Sequence, residues 1–392
     1  MWRLLALCLF LPPAVPAALP AIYLVIPFDN SSGNPNLDWM GESVAETIRD
    51  ALAAFNVPVV SRGRREAAAH RLSIRPAGLL TKASIIKLGR ECGAGEVIYG
   101  RFEFTPAGEK AGRLRGTLKL VAHSIRLDHF ALGPEWETDG DIATLSQLQT
   151  RLSWMVLRHA APRAAPTEQE YFEDRPPVRI DAMENFIRGL LASSLEEKHR
   201  YLTRAADLDP EFSQACFHLG EMQWEDANYR VAAKWLERVK PSDAHYLEAN
   251  FLLGLSRYHT GNYARAQAAF DLVARVSPTV EVYNNLGLTQ FRLGMPAAIE
   301  SLQWALGRRP GDPDLHFNTG YVLWRQGDLD GAAVQFRAVL ELDPGDDDAR
   351  RMLERCQQGH GPRRGDLSAE GLERLEEIFP SRQGVPIDAL TH

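Results

Sequence analysis

Cysteine is scarce, at four in 392 residues. With no CxxC pair and wide spacing, it supplies neither a zinc cluster nor a disulfide framework. Cys92, Cys216 and Cys356 are expected as three separate buried thiols. Long apolar runs are missing as well. No stretch reaches the ~18 uninterrupted apolar residues that a membrane-spanning helix needs. Positive charge is in deficit, with a formal net charge of -7, whereas a nucleic-acid binder normally carries a basic face. Catalytic signatures are also lacking: there is no HExxH, GxSxG, P-loop or EF-hand spacing. Gly93-x-Gly95 looks like the start of a dinucleotide loop, but it precedes a strand and offers a phosphate no helix N-terminus. His218 is isolated and His316 falls at a packing position of a first helix, so both read as structural histidines, and the acids at 346–348 suit a helix start better than a cation. The expectation is a non-catalytic chain with no cofactor and no metal site.

The first residues do carry a signal. Arg3 precedes an apolar run over 4–11, followed by prolines at 12, 13, 16 and 20. A short charged start, a short hydrophobic segment and a small-residue exit read as a secretory signal peptide over 1–17, cut between Ala17 and Ala18. Leu7 is too large for a lipobox before Cys8, which argues against lipidation. A periplasmic or secreted location, with possible envelope association, is therefore expected.

The strongest pattern is internal repetition. Gly220, Gly254, Gly287 and Gly320 recur at intervals of 34, 33 and 33 residues. An alanine follows each (Ala232, Ala266, Ala298 and Ala332), and Pro278, Pro310 and Pro344 close the last three units. A unit of ~34 residues holds two helices and two tight turns. We expect each glycine to face the alanine of the second helix, where small side chains let the backbones approach. The closing proline stops that second helix. Leu219, Leu253, Leu286, Leu236, Phe270, Leu302 and Phe336 would fill the core. Residues 213–346 resemble the tetratricopeptide family, whose pattern is a leucine-glycine pair, alanine, an aromatic or leucine, alanine and proline. The unit 313–346 fits it nearly throughout, with Thr319 where leucine is usual. A truncated unit precedes these four, with Gly189 close to its second helix, and a capping helix over 349–358 follows, so the repeats span 179–358. In the tail, 359–392, Leu372, Leu375, Ile378 and Phe379 suggest one amphipathic helix over 368–379. It would pack on the last repeat or fold back into the groove.

Residues 21–160 follow a different pattern. Strand-like runs at 22–28 and 57–60 alternate with helical spacing at 37–55 and 82–92. A strand pair, 96–104 and 114–127, turns at Gly108 and Gly112, and a last helix covers 145–158. This alternation reads as an α/β domain. The stretches Ile26-Pro27-Phe28-Asp29-Asn30-Ser31-Ser32-Gly33 with Trp39-Met40-Gly41-Glu42, and Gly93 to Gly100, resemble the TolB-like amino-terminal domain. That resemblance implies a fold and an envelope context for 18–160, and no general catalytic activity. Asn30 and Ser31 are expected to make turn bonds, and Trp39 with Phe28 to pack the joint between sheet and helix. Residues 161–178, rich in proline and charge, read as a semi-rigid linker. The expected fold class is thus an α/β N-terminal domain followed by an all-α tetratricopeptide solenoid.

The tetratricopeptide resemblance also implies a concave groove lined by set positions of each first helix. Phe217, Phe251, Asn284 and Phe317 hold the fifth position, and Trp224, Tyr258, Phe291 and Trp324 the twelfth. Tyr321 holds the ninth and Arg292 and Arg325 the thirteenth. Aromatics and arginine are enriched at binding hot spots, yet the aromatics could equally pack successive helices. For Arg292 and Arg325 binding is favoured, since packing does not need a guanidinium. Asn285 and Asn318 alone hint at the family's carboxylate clamp, and its lysines are missing. The leading expectation is a protein-interaction scaffold or adaptor of the cell envelope that holds a partner protein or peptide segment. A small-molecule sensor acting through the N-terminal domain, for a carbohydrate or lipid, is the alternative.

Overall fold

In the computed structural model, which describes residues 21–74, 80–110, 113–363 and 369–380, a layered domain leads into a helical solenoid. The expected signal peptide lies outside the described residues. Strands β1 (Tyr23–Val25) and β2 (Asp29–Asn30) both run parallel to β3 (Glu96–Lys110). Two antiparallel strands, β4 (Arg113–Arg126) and β5 (Ala131–Asp141), complete the sheet. Because side chains alternate along a strand, the sheet buries both faces. Tyr23, Val25 and Ile98 face helices α1 (Trp39–Ala54) and α4 (Leu145–Ala160). Leu24, Ile26 and Val97 face α2 (Arg62–Arg71) and α3 (Lys82–Glu91).

Several local expectations change. The strand expected at 57–60 is reduced to a single bridge between Val59 and Tyr23. Helix α2 was not anticipated: it is mostly polar, but Ser61 caps it and Arg65 is buried against Glu42 and the Val25 carbonyl. Strand β5 was not anticipated either, because it contains Gly133 and its exposed positions carry Pro134 and acidic residues. The motif at the start of the domain behaves as expected at Asn30, Phe28 and Trp39, whereas the Ser31 hydroxyl donates to the Asp29 carboxylate rather than making a turn bond. The Ser32 amide donates to the Asn30 side chain at 3.0 Å, Phe28 and Trp39 share one core, and the Phe28 amide donates to the Gly41 carbonyl at 3.0 Å.

The segment 161–178 is not an open tether. It carries a short helix, α5 (Glu168–Glu173), started by a capping box at Thr167 and Glu170. Tyr171 on that helix is 1% exposed, and its hydroxyl lies 2.9 Å from that of Ser153. The Trp154 indole donates to the Pro166 carbonyl at 3.0 Å. Prolines restrict the backbone here, and burial of aromatic rings on both sides fixes the path. The same core continues from the sheet through α4 and Tyr171 into the first helices of the solenoid.

Five helix pairs follow: α6 (Ile180–Leu191) with α7 (Leu195–Leu208), α8 (Ser213–Glu225) with α9 (Tyr229–Leu236), and α10 (Tyr246–His259) with α11 (Tyr263–Val276). Then come α12 (Val280–Arg292) with α13 (Ala297–Leu306), α14 (Pro313–Gln326) with α15 (Leu329–Leu342), and the cap α16 (Asp347–Gln357). At Gly287 the Ala298 carbonyl lies 3.1 Å from where a Cβ would stand, but at most of these glycines a large residue comes closer still. A methyl group on Gly220, Gly254 or Gly287 would first meet Leu236, Phe270 or Leu302, at 2.6, 2.6 and 2.8 Å. The large residue one turn beyond the alanine reaches back over the glycine, so the glycine makes room for that side chain as well as for the close approach of the second helix. Gly189 meets Leu202 at 3.0 Å in the same way. The truncated first pair therefore keeps the contact across a shorter connection.

Candidate functional site

The first helices of the later units, α10, α12 and α14, form the wall of a groove. That groove is filled by the chain's own C-terminal segment, residues 369–380. No helix forms there: 372–377 have no regular secondary structure, and the chain lies across the wall as a strap. Phe379 touches Phe251 on α10, with ring centroids 5.4 Å apart. Glu376 lies over α12, Arg374 over α14, and the Ala369 carbonyl accepts a hydrogen bond from Tyr321 at 2.8 Å. The strap thus runs against the order of the repeats.

Asparagines hold its backbone. The Arg374 amide donates to Asn318 Oδ1 at 2.9 Å, and Asn318 Nδ2 donates to the Arg374 carbonyl at 2.7 Å. One repeat earlier, Asn285 makes the same pair of bonds to Glu376, at 2.9 and 2.7 Å. Asn284 adds a bond to the Arg374 carbonyl at 3.0 Å and accepts one from Asn318 at 2.8 Å. A carboxamide carries both a donor and an acceptor, so it satisfies the amide and the carbonyl of one extended residue as a neighbouring strand would. All three asparagines are fully buried, and unpaired they would be costly. Leu252 stands at the corresponding place on α10, so the ladder is confined to α12 and α14.

The strap's side chains meet opposite charges and rings. Arg292 places Nε and Nη2 at 2.6 and 2.8 Å from the two carboxylate oxygens of Glu373, whose side chain is 3% exposed. Arg374 bridges Asp314 and Asp346 at 2.8 and 2.7 Å, with its guanidinium 3.7 Å from the Phe317 ring centre. Arg309 approaches Glu376 at 3.6 Å. Burial, and then the negative charge of Glu373, push the Tyr258 hydroxyl well above the usual phenol range. Burial likewise raises the Glu376 carboxyl. Leu375 and Phe379 pack on the core of the middle repeats and Leu372 on that of the last.

A family model for the tetratricopeptide repeat matches residues 294–347. With the paired helices, the glycine contacts and the spacing, that match decides the repeat type. The chain carries tetratricopeptide repeats. Among solved structures, a crystal structure of MamA is 20% identical, covering 38% of this chain and 88% of its own, at a TM-score of 0.35. MamA 41-end from Desulfovibrio magneticus RS-1 is 22% identical over 43% of this chain and 98% of its own, at 0.38. YrrB, described as a TPR protein with an unusual peptide-binding site, is 23% identical over 43% of this chain and 88% of its own, at 0.35. No curated protein matches the chain.

Within the tetratricopeptide groove, the residues singled out from sequence divide into three groups. Phe251, Tyr258, Asn284, Arg292, Phe317 and Tyr321 lie at or beside the strap, and Trp324 donates to the His360 carbonyl at 2.9 Å just ahead of it. Phe291 and Arg325 sit behind these, with Arg325 donating to the Tyr321 hydroxyl at 3.1 Å and lying over the Phe291 ring. Phe217 stacks on His245, and Trp224 packs on the same core; both lie on the early repeats, away from the strap. The aromatics both pack and face the groove: Phe251 and Phe317 are fully buried yet present their rings to strap residues. Asn285 and Asn318, rejected as carboxylate ligands, hold peptide backbone instead. Asp314, Asp346 and Arg309 were missed, since their partners lie in a tail that the sequence left between the last repeat and the groove. Among the described residues, no helix is long and apolar enough to cross a membrane.

Proposed function

We propose that this protein is an adaptor whose groove, on α12 and α14, holds a partner protein's segment in extended form by its backbone. The paired bonds of Asn318 to Arg374 and of Asn285 to Glu376 support this reading. They grip an amide and a carbonyl that any non-proline residue offers, while Arg292 selects the side chain just before the first gripped residue and the Asp314–Asp346 pair selects the side chain of that residue itself. The variants that test it are Asn285→Ala with Asn318→Ala, made in a chain whose strap is weakened by Arg374→Ala, Leu375→Ala and Phe379→Ala so that the groove is open. They are chosen because alanine at Phe251 or Trp324 would also remove core packing. Val334→Ala, on an exposed and distant face, serves as the control in the same chain. A partner recovered by the control and lost from the asparagine variant supports the groove, and equal recovery by both removes it.

The adaptor is placed at the cell envelope, with a TolB-like amino-terminal domain as its second docking element. The charged start, the short apolar run and the small-residue exit at 1–17, with the motif at 26–33, support this placement. Cell fractionation with N-terminal sequencing tests it: an envelope fraction starting at Ala18 is expected, and a cytoplasmic chain retaining Met1 would reject it.

A further inference from the structure

The strap differs from a tail that merely falls into a crevice, because consecutive features of its sequence each meet a matching receptor. Glu373 meets Arg292, Arg374 meets two aspartates and the Phe317 ring, Glu376 meets Arg309, and Phe379 meets Phe251. The receptors come from three successive repeats and the cap. The backbone register agrees: Asn285 and Asn318 are one repeat apart in sequence, and they grip strap residues two apart. Two extended residues span about 7 Å, close to the roughly 8–10 Å between packed helices, so an extended chain keeps step with the wall.

We infer that the strap is a built-in copy of the partner's sequence, so that the groove is closed in cis and opens only to a segment with the same chemistry. That chemistry is an extended peptide reading glutamate, arginine, leucine, glutamate, with an aromatic three residues later. The inference rests on the groove being a peptide site, and it adds which peptide fits and what competes with it. The strap is tethered about a dozen residues beyond α16, and the Trp324 bond to His360 anchors the tether. Short tethers give effective concentrations of about 1 mM. A free peptide of ~10 μM intrinsic affinity would then bind the closed groove about a hundredfold more weakly.

The experiment uses a fluorescein-labelled peptide of residues 369–380 and two full-length chains. One is intact, and the other carries Arg374→Ala, Leu375→Ala and Phe379→Ala, which leave every groove residue in place. Fluorescence anisotropy is expected to show binding to the released chain and at least tenfold weaker binding to the intact one. Glu373→Ala alone, a milder change, should fall between them. A peptide with Glu373→Lys and Arg374→Glu should bind the released chain at least tenfold more weakly than the native peptide. Equal binding of the native peptide to both chains would overturn closure by the strap while leaving the groove as a peptide site. Binding to neither chain, with unchanged helical circular dichroism, would overturn the peptide site itself. Equal binding of the charge-swapped peptide would overturn the proposed sequence pattern. Dimers of the intact chain at the same concentrations, absent from the released one, would show exchange between copies and overturn closure in cis.

Discussion

Arg292 and Glu373, 81 positions apart, form an ion pair in which both carboxylate oxygens face guanidinium nitrogens and the glutamate side chain is almost fully enclosed. Sequence reasoning favoured binding for Arg292 because helix packing has no need of a guanidinium. The arginine does bind a carboxylate, and that carboxylate belongs to the same chain.

Breaking this pair leaves one charge without its partner inside the groove, which for enclosed pairs costs about 3–5 kcal/mol and less where one member is partly solvated. The strap can escape that cost by leaving. Arg292→Ala and Glu373→Ala should each speed tryptic cleavage after Arg374 by roughly tenfold, if about 1.4 kcal/mol of strap stability is lost. The double variant should be no faster than the quicker single one. Cleavage followed by mass spectrometry checks this, and additive acceleration would mean that the residues act separately.

A second prediction concerns the repeat glycines. A methyl group on Gly254 would lie 2.6 Å from the Phe270 ring, whereas on Gly320 the nearest atom is 3.0 Å away and the Phe336 ring 3.2 Å. Overpacking of this kind costs about 1–3 kcal/mol. Gly254→Ala should therefore lower the urea midpoint more than Gly320→Ala does. The reverse order would show that the Phe270 ring has room to move.

The solenoid was legible because its signals are local and repeated: glycine, alanine and proline at fixed intervals, each dictated by contact between adjacent helices. What escaped depends on distant partners. Arg65 makes a polar helix stable by pairing with Glu42, and nothing near residues 62–71 announces it. Leu372, Leu375, Ile378 and Phe379 have the spacing of an amphipathic helix. Even so, Asn285 and Asn318 take up the backbone bonds that a helix would have made internally. The groove positions could be placed from the repeat pattern, and a tail folded back into the groove was one of two placements left open, since charge complementarity across 81 positions leaves no periodic trace to choose between them.

A third prediction follows from the junction between the N-terminal domain and the solenoid. Burial alone would lower the His245 imidazole's pKa. The hydrogen bond and charge of Asp243, with the charge of Asp50, outweigh burial and raise it to about 9, against an ordinary value of 6.5. The folded chain therefore holds a proton there that the unfolded chain gives up earlier. The stabilisation is complete below pH 6.5 and lost as pH rises through about 9. Denaturant midpoints should fall across that window in the wild type, and His245→Gln should flatten the decline. An unchanged slope in the variant would place the titration elsewhere.

The central claim is that the groove holds an extended chain by its backbone, and amide hydrogen exchange addresses it most directly. In the intact protein the Arg374 and Glu376 amides should be protected. Asn285→Ala with Asn318→Ala should return them to the exchange rates of an open chain while the helices of the solenoid stay protected. Open-chain exchange of both amides in the intact protein would contradict the claim.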